Sequence, residues 1–332
     1  MIRLVQVELT RLRWRRAVLL LVGAAIVIPL VVLAVRAYET RPVSDADRAQ
    51  AEVFAEEQRG FLEQEIQRCL RRPAAYGIDP DRAPTQCERR LSYPINADDF
   101  LYREQLRVGA ERSNAGLAVV AVVAVLMLLA GTTYVGHDWN SGSMSNQLLF
   151  ETRRLRVWTA KAIAVGLLAL VVGTIALAVF WGGLLALAAG RGLDPPGQVV
   201  TDVAQQCARS LLVIVGAGLG GYALTTLLRS TVATVGILFG VAVAGGVLFG
   251  ALLPGTALRY EPTTNALALV KGQTTWYVEP PADCAYDPTG FDPERCVTEA
   301  RLTQVGAAVY YAVLLGAIGA GSAASYRRRD VP

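Results

Sequence analysis

The chain has a single histidine, His137, standing beside Asp138. A histidine next to a carboxylate could do acid–base chemistry, but neighbouring residues on a helix point about 100° apart. The pair therefore reads as the polar end of a helix. The spacing Gly216-x-Gly218-x-x-Gly221 formally matches a dinucleotide fingerprint. It lies inside an apolar run, with no strand before it and no acidic residue about 20 positions on, so these glycines are assigned to helix packing. No G-x-x-x-x-G-K-[ST] phosphate loop occurs, so the chain is not expected to hydrolyse ATP by that route. Four of the five cysteines, Cys69, Cys87, Cys284 and Cys296, fall in polar, proline-containing segments. Four cysteines admit three pairings; the expected ones are Cys69 with Cys87 and Cys284 with Cys296, with free thiols or bridges between the segments left open. The absence of an accompanying histidine disfavours a metal site. Cys207 is expected to be a small packing residue.

The elements that must carry these residues are set by composition. Hydrophobic residues make up 53% of the 332 and charged residues 18%, against about 25% charged in globular chains. The apolar residues gather into six uncharged runs, 17–35, 115–135, 162–189, 211–228, 231–258 and 302–326. Several match the roughly 20 residues needed to cross a ~30 Å hydrocarbon core. Helices satisfy their own backbone in lipid, whereas strands of this length would leave edges unpaired. The fold class is thus all-α integral membrane, with six transmembrane helices, an amino-terminal interfacial helix and two larger extracytoplasmic segments. The first run, although preceded by arginines, has no clean small-x-small site after it and is read as a retained anchor. The runs hold no ionisable side chain, which argues against a proton- or ion-coupled carrier. Their hydroxyls and tyrosines, Thr132, Thr133, Thr174, Tyr222, Thr225, Thr226, Thr234, Tyr310 and Tyr311 among them, read as packing groups.

Charge fixes the expected orientation. Arg3, Arg11, Arg13, Arg15 and Arg16 precede the first run, Arg153, Arg154, Arg156 and Lys161 lie between the second and third, Arg229 lies between the fourth and fifth, and Arg327, Arg328 and Arg329 close the chain. All fall on one face if six spans alternate, which places both termini in the cytoplasm of a cell-membrane protein. The resulting organisation is 1–16 interfacial helix, 17–36 first span, 37–113 external helical cap, 114–135 second span, 136–160 cytoplasmic segment, and 161–189 third span. There follow 190–209 external loop, 210–228 fourth span, 230–258 fifth span, 259–301 external loop, 302–326 sixth span and 327–332 tail. The cap opens with Ser44 and Asp47 at capping-box spacing. The net charge of +4 is a sum over two faces and implies no nucleic-acid partner.

The segment 136–160 combines helix formers, apolar side chains and bases. Met144, Leu148 and Leu149 recur at about one-turn spacing, which gives a short amphipathic helix able to dock into a partner's groove or to lie on the membrane surface. In the amino-terminal segment Ile2, Val5, Leu9 and Leu12 share one face, with Arg3, Glu8 and Arg13 placed elsewhere, as on an interfacial helix.

With Asp138, Gly142, the pair Leu148 and Leu149, Arg154 and Lys161 in this order and spacing, the chain resembles the ATP-binding-cassette type-2 permease family, the membrane subunits of type V exporters. Aspartate stands here where glutamate is commoner, Ser143 where threonine is usual, and Thr152 in the proline region. The resemblance implies that 138–152 is a coupling helix, with Asp138, Gly142, Met144, Leu148, Leu149, Glu151 and Arg154 engaging a separate cytosolic nucleotide-binding ATPase subunit. It implies ATP and Mg on that subunit and no cofactor in this chain, and a second permease copy, identical or paralogous. The expected activity is export, with an amphiphilic or lipid-like cargo favoured by the dry lining of the spans and membrane lipids among the partners. A membrane sensor or scaffold signalling through 136–160 is the alternative from another class.

Overall fold

The computed structural model describes residues 1–101, 105–248, 252–253, 255–279 and 298–328. The chain forms two compact units, Met1–Ala34 with Arg107–Pro332, and Val35–Leu106.

The larger unit begins with α1 (Ile2–Arg13) and the apolar α2 (Arg16–Glu39). The smaller unit contains α3 (Asp45–Arg71) and α4 (Ala83–Leu91). The larger unit resumes with the single turn α5 (Val108–Glu111), then α6 (Ala115–Asn140), α7 (Ser143–Phe150), α8 (Arg154–Gly190) and α9 (Gly197–Leu228). It is completed by α10 (Thr231–Val247), α11 (Pro262–Lys271) and α12 (Gln304–Arg328). Five helical stretches, Arg16–Glu39, Val108–Asn140, Arg154–Gly190, Gly197–Leu228 and Gln304–Arg328, are long and apolar enough to cross a membrane. An all-α multi-pass membrane architecture is consistent with them.

Two expectations are corrected. The fifth apolar run was expected as one helix over 230–258, but α10 ends at Val247 after 17 residues, a rise of about 26 Å. The external loop expected over 259–301 instead contains α11, whose Asn265, Ala268, Leu269 and Val270 are buried. That loop also yields two strands, β1 (Gln273–Tyr277) and β2 (Glu299–Thr303), paired antiparallel with Gln273 opposite Thr303. Trp276 of β1 donates its indole N–H to the Gly255 carbonyl at 2.8 Å, tying the strands to the 3-10 turn that precedes α11.

Close packing of α6 on α9 is what the central glycines permit. A Cβ at Gly131 would collide with the Gly218 carbonyl, and one at Gly221 with the Leu128 carbonyl. Backbones can approach this closely only where side chains are absent. On the other side of α9, Gly216 and Gly220 face Leu315 of α12. The fingerprint-like spacing 216–221 is thus a packing surface used on two sides. Thr174, Thr225, Thr226 and Thr234 each donate to the carbonyl four residues back in their own helix, which satisfies the hydroxyl without a partner helix.

In the smaller unit, Ser44 accepts from the Asp47 N–H and the Asp47 carboxylate accepts from the Ser44 N–H, closing the capping box that starts α3. Cys69 and Cys87 are bridged across 18 residues with a Cα–Cα distance of 5.9 Å. Both are fully buried and pack with Ile78 and Ala83. Arg59 reaches from α3 to the Ile95 carbonyl at 3.0 Å. Tyr76 donates to Glu65 at 2.5 Å, a bond that pushes the phenol pKa up because ionisation would lose it and bring like charges together. Cys284 and Cys296 lie outside the described residues, so their pairing stays an expectation.

Candidate functional site

At one end of the larger unit, three helices bring charged side chains into the interior. Helix α1 places Glu8 and Leu12 inward, one turn apart, both 2% exposed. The last turns of α6 carry Tyr134 and Asp138, each fully buried, and the second turn of α8 carries Lys161, 1% exposed. The Lys161 ammonium donates to Asp138 Oδ2 at 2.5 Å and to Glu8 Oε2 at 3.0 Å. Arg11 donates to Asp138 Oδ1 at 2.9 Å, and Arg15 also pairs with Asp138. Tyr134 donates its hydroxyl to Glu8. The Lys161 ammonium lies 5.2 Å from the Tyr134 ring centre and the Arg15 guanidinium 5.1 Å from it. Two carboxylates thus meet three cations around one aromatic ring.

Burial on its own would raise the Glu8 carboxyl. The Lys161 charge, hydrogen bonds from Tyr134 and Lys161, and the Arg11 charge outweigh it and hold Glu8 below the usual carboxylate range. Glu8 is therefore kept as an acceptor. Such a cluster is costly to desolvate and strongly destabilising to break in part, so it holds the ends of α1, α6 and α8 in one register.

The network continues into α7. Gly142 takes a left-handed conformation (φ 66°) as the residue before the helix, a backbone that glycine adopts without strain. The turn it makes reverses the chain out of α6. Ser143 then accepts from Arg11 at 2.5 Å, and Gln147 donates to Glu8 Oε1 at 2.5 Å. Met144 is 2% exposed and its sulfur accepts from Tyr326 of α12 at 3.3 Å. Tyr326 stacks edge-on against Trp139 with centroids 6.2 Å apart. One face of α7 is thereby fixed to α1 and α12.

The opposite face is bare: Leu149 is 77% exposed and Phe150 93%. The docking face expected from Met144, Leu148 and Leu149 is divided in the structure. Met144 faces the interior, Leu148 is half-buried, and Leu149 points outward beside Phe150. Glu151 accepts from the Arg153 N–H at 3.2 Å, and Arg154 reaches the Arg327 carbonyl at 3.4 Å. Asp138, expected as part of a coupling surface or a polar helix end, is inside the ion cluster instead. Its neighbour His137 is exposed and takes no part in the cluster.

Glu8 is the residue that sequence reading misplaced. Its charge put it on the water side of an amphipathic helix, yet it shares a face with Leu12 and binds Lys161, 153 positions away. Arg11 and Arg15 were counted only as orientation signals. A usable signal was the i, i+3 spacing of Glu8 and Arg11, which puts an acid and a base on one side of a helix otherwise expected to bury apolar groups. Among the described residues, no group of three or more histidine, cysteine, aspartate or glutamate side chains could hold a metal ion.

No protein-family model, no curated protein and no solved structure matches the chain.

Proposed function

We propose that the chain is the membrane subunit of an ATP-driven exporter of the ATP-binding-cassette type-2 permease kind, moved by a separate cytosolic nucleotide-binding subunit. The observation that carries this reading is the two-sidedness of α7. Its inner face is bound to an ion cluster shared by α1, α6 and α8, while Leu149 and Phe150 at its tip are exposed. A large aromatic and a leucine at 93% and 77% exposure are what a helix-in-groove contact with a partner would bury. In this reading the partner grips the tip of α7, and the cluster passes the displacement to α6 and α8, because rigid, fully paired elements move as bodies. The face bearing α1 and α7 is then cytoplasmic, in keeping with the arginines of the amino terminus, the α7–α8 segment and the tail. A dry interior favours an amphiphilic or lipid-like cargo, and a second permease copy would complete the path.

The test is to co-express the chain with the ATPase subunit it is supplied with in its cell and replace Leu149 and Phe150 by alanine. Losing two exposed anchors should weaken retention of the ATPase by about 2 kcal/mol or more, at least tenfold, with unfolding of the membrane subunit unchanged. Equal retention would remove the docking role, and unchanged stimulated ATPase activity after replacing Glu151 and Arg154 as well would remove coupling through this segment. The disulfide-closed unit Val35–Leu106 favours a second reading, a ligand sensor signalling through α7; that reading needs no ATPase companion and predicts none on purification.

A further inference from the structure

Five helices of the larger unit line a second feature, whose lining shares no residue with the ion cluster. Leu128 of α6, Leu212 and Gly220 of α9, Leu238 of α10, Leu269 of α11 and Leu315 of α12 line a cavity of about 290 Å³. That is close to the lower end of cavities that hold small molecules, about 300 Å³. The lining is apolar, and its one phenol, Tyr311, is already committed to the Pro262 carbonyl at 2.7 Å. Gly216 and Gly220 supply the room: a Cβ at either would come within 3.1–3.2 Å of Leu315. At the edge of the cavity Leu212 is 63% exposed and Leu314 38%, so the space opens sideways along faces that meet hydrocarbon in a bilayer.

Two basic residues flank the lining along its helices. Arg209 lies one turn before Leu212 on α9, and Lys271 two residues after Leu269 on α11. The Arg209 guanidinium donates to the Lys271 carbonyl at 3.4 Å and to Gln205 at 3.1 Å. Among the described residues, neither basic side chain pairs with a carboxylate. An apolar slot open to lipid, with two basic residues just beyond its lining on α9 and α11, is complementary to a single molecule with an anionic head and a hydrocarbon tail. We infer that this cavity holds one acyl chain of an anionic membrane phospholipid whose phosphate sits between Arg209 and Lys271. The site lies within one copy of the chain, and the inference holds whether or not the chain works as a permease.

The probe is phosphatidylglycerol with a photoreactive group midway along one tail, compared with phosphatidylcholine carrying the same tail, each in nanodiscs containing the full chain. Labelling by phosphatidylglycerol should concentrate on peptides of α9 and α12 that line the cavity, above the exposed α8 face around Leu170 and Val171. Ala217 of α9 also lines the cavity, and Ala217→Phe should abolish that excess by filling the space. Should this variant misfold, R209Q and K271Q change charge outside the cavity lining, and K271Q keeps the backbone carbonyl that Arg209 bonds. Each should reduce the preference for phosphatidylglycerol over phosphatidylcholine about fivefold, the worth of one basic residue at an anionic lipid surface. Cavity labelling no greater than that of the α8 face, or a headgroup preference unmoved by both charge variants, would overturn the assignment.

Discussion

Replacing Lys161 by methionine tests the ion cluster where its physics is least ambiguous. Methionine keeps most of the length and apolar volume of lysine, so the perturbation is the loss of one ammonium from a position 1% exposed. The bonds to Asp138 Oδ2 at 2.5 Å and to Glu8 Oε2 at 3.0 Å both disappear. Asp138 keeps Arg11 and Arg15, but among the described residues Glu8 keeps only Arg11 at 3.3 Å as a cationic partner. Removing one partner from a buried ionic set costs about 3–5 kcal/mol, far above the ~1 kcal/mol ceiling of an exposed salt bridge. Adding Glu8→Gln to Lys161→Met removes the orphaned charge, and the pair should recover about 1–3 kcal/mol relative to the sum of the single changes. The assay is equilibrium unfolding in mixed micelles with a rising fraction of denaturing detergent, followed by tryptophan fluorescence, for the wild type, both single variants and the double variant. A loss below about 1 kcal/mol for Lys161→Met, or strict additivity in the cycle, would refute the claim that these charges act as one buried unit.

Further outcomes follow from the same structure. Glu8 has its pKa lowered in the folded state, so its contribution to stability is complete above the ordinary carboxylate pKa of about 4.3 and is lost as pH falls through the lower folded value; wild-type unfolding should show this acid loss and Glu8→Gln should not. Gly221→Val would drive a side chain into the Leu128 carbonyl, separating α6 from α9 at a cost of about 1–3 kcal/mol, readable as a fall in the thermal unfolding midpoint in detergent. Opening the Cys69–Cys87 bridge as a double serine variant releases an 18-residue loop, a loss of about 3 kcal/mol. Limited proteolysis should then cut within the smaller unit while α8 and α9 remain intact.

The long apolar runs made most of the helices legible, because nothing but a helix satisfies twenty apolar residues' backbone in hydrocarbon. The Ser44–Asp47 cap and the Cys69–Cys87 bridge were legible for a similar reason: each is a local device whose parts lie within a short stretch of chain. The end of α10 at Val247 was not read, although Gly245 and Gly246 at its end and Pro254 beyond it break an otherwise uniform run. An apolar tally is blind to such breaks. Helix α11 was missed because Asn265 disguises a buried helix as a loop; its amide donates to the Arg259 and Glu261 carbonyls. The ion cluster escaped for a deeper reason. Periodicity sorts charges toward water, and only partners 126 to 153 positions away, Tyr134 and Lys161, make it favourable for Glu8 to turn inward. The positions of Asp138 and Lys161 were noticed through resemblance to a family, but their direct contact belongs to the three-dimensional arrangement.

The most direct test of the account is ATP turnover by the purified chain in nanodiscs, alone and reconstituted with the cytosolic ATPase subunit proposed for it, before and after the paired change Leu149→Ala and Phe150→Ala. The account predicts no turnover by the chain alone, stimulated turnover by the assembly, and loss of that stimulation in the variant with the membrane subunit still folded. Turnover by the isolated chain, or full stimulation after both exposed side chains are removed, would contradict it.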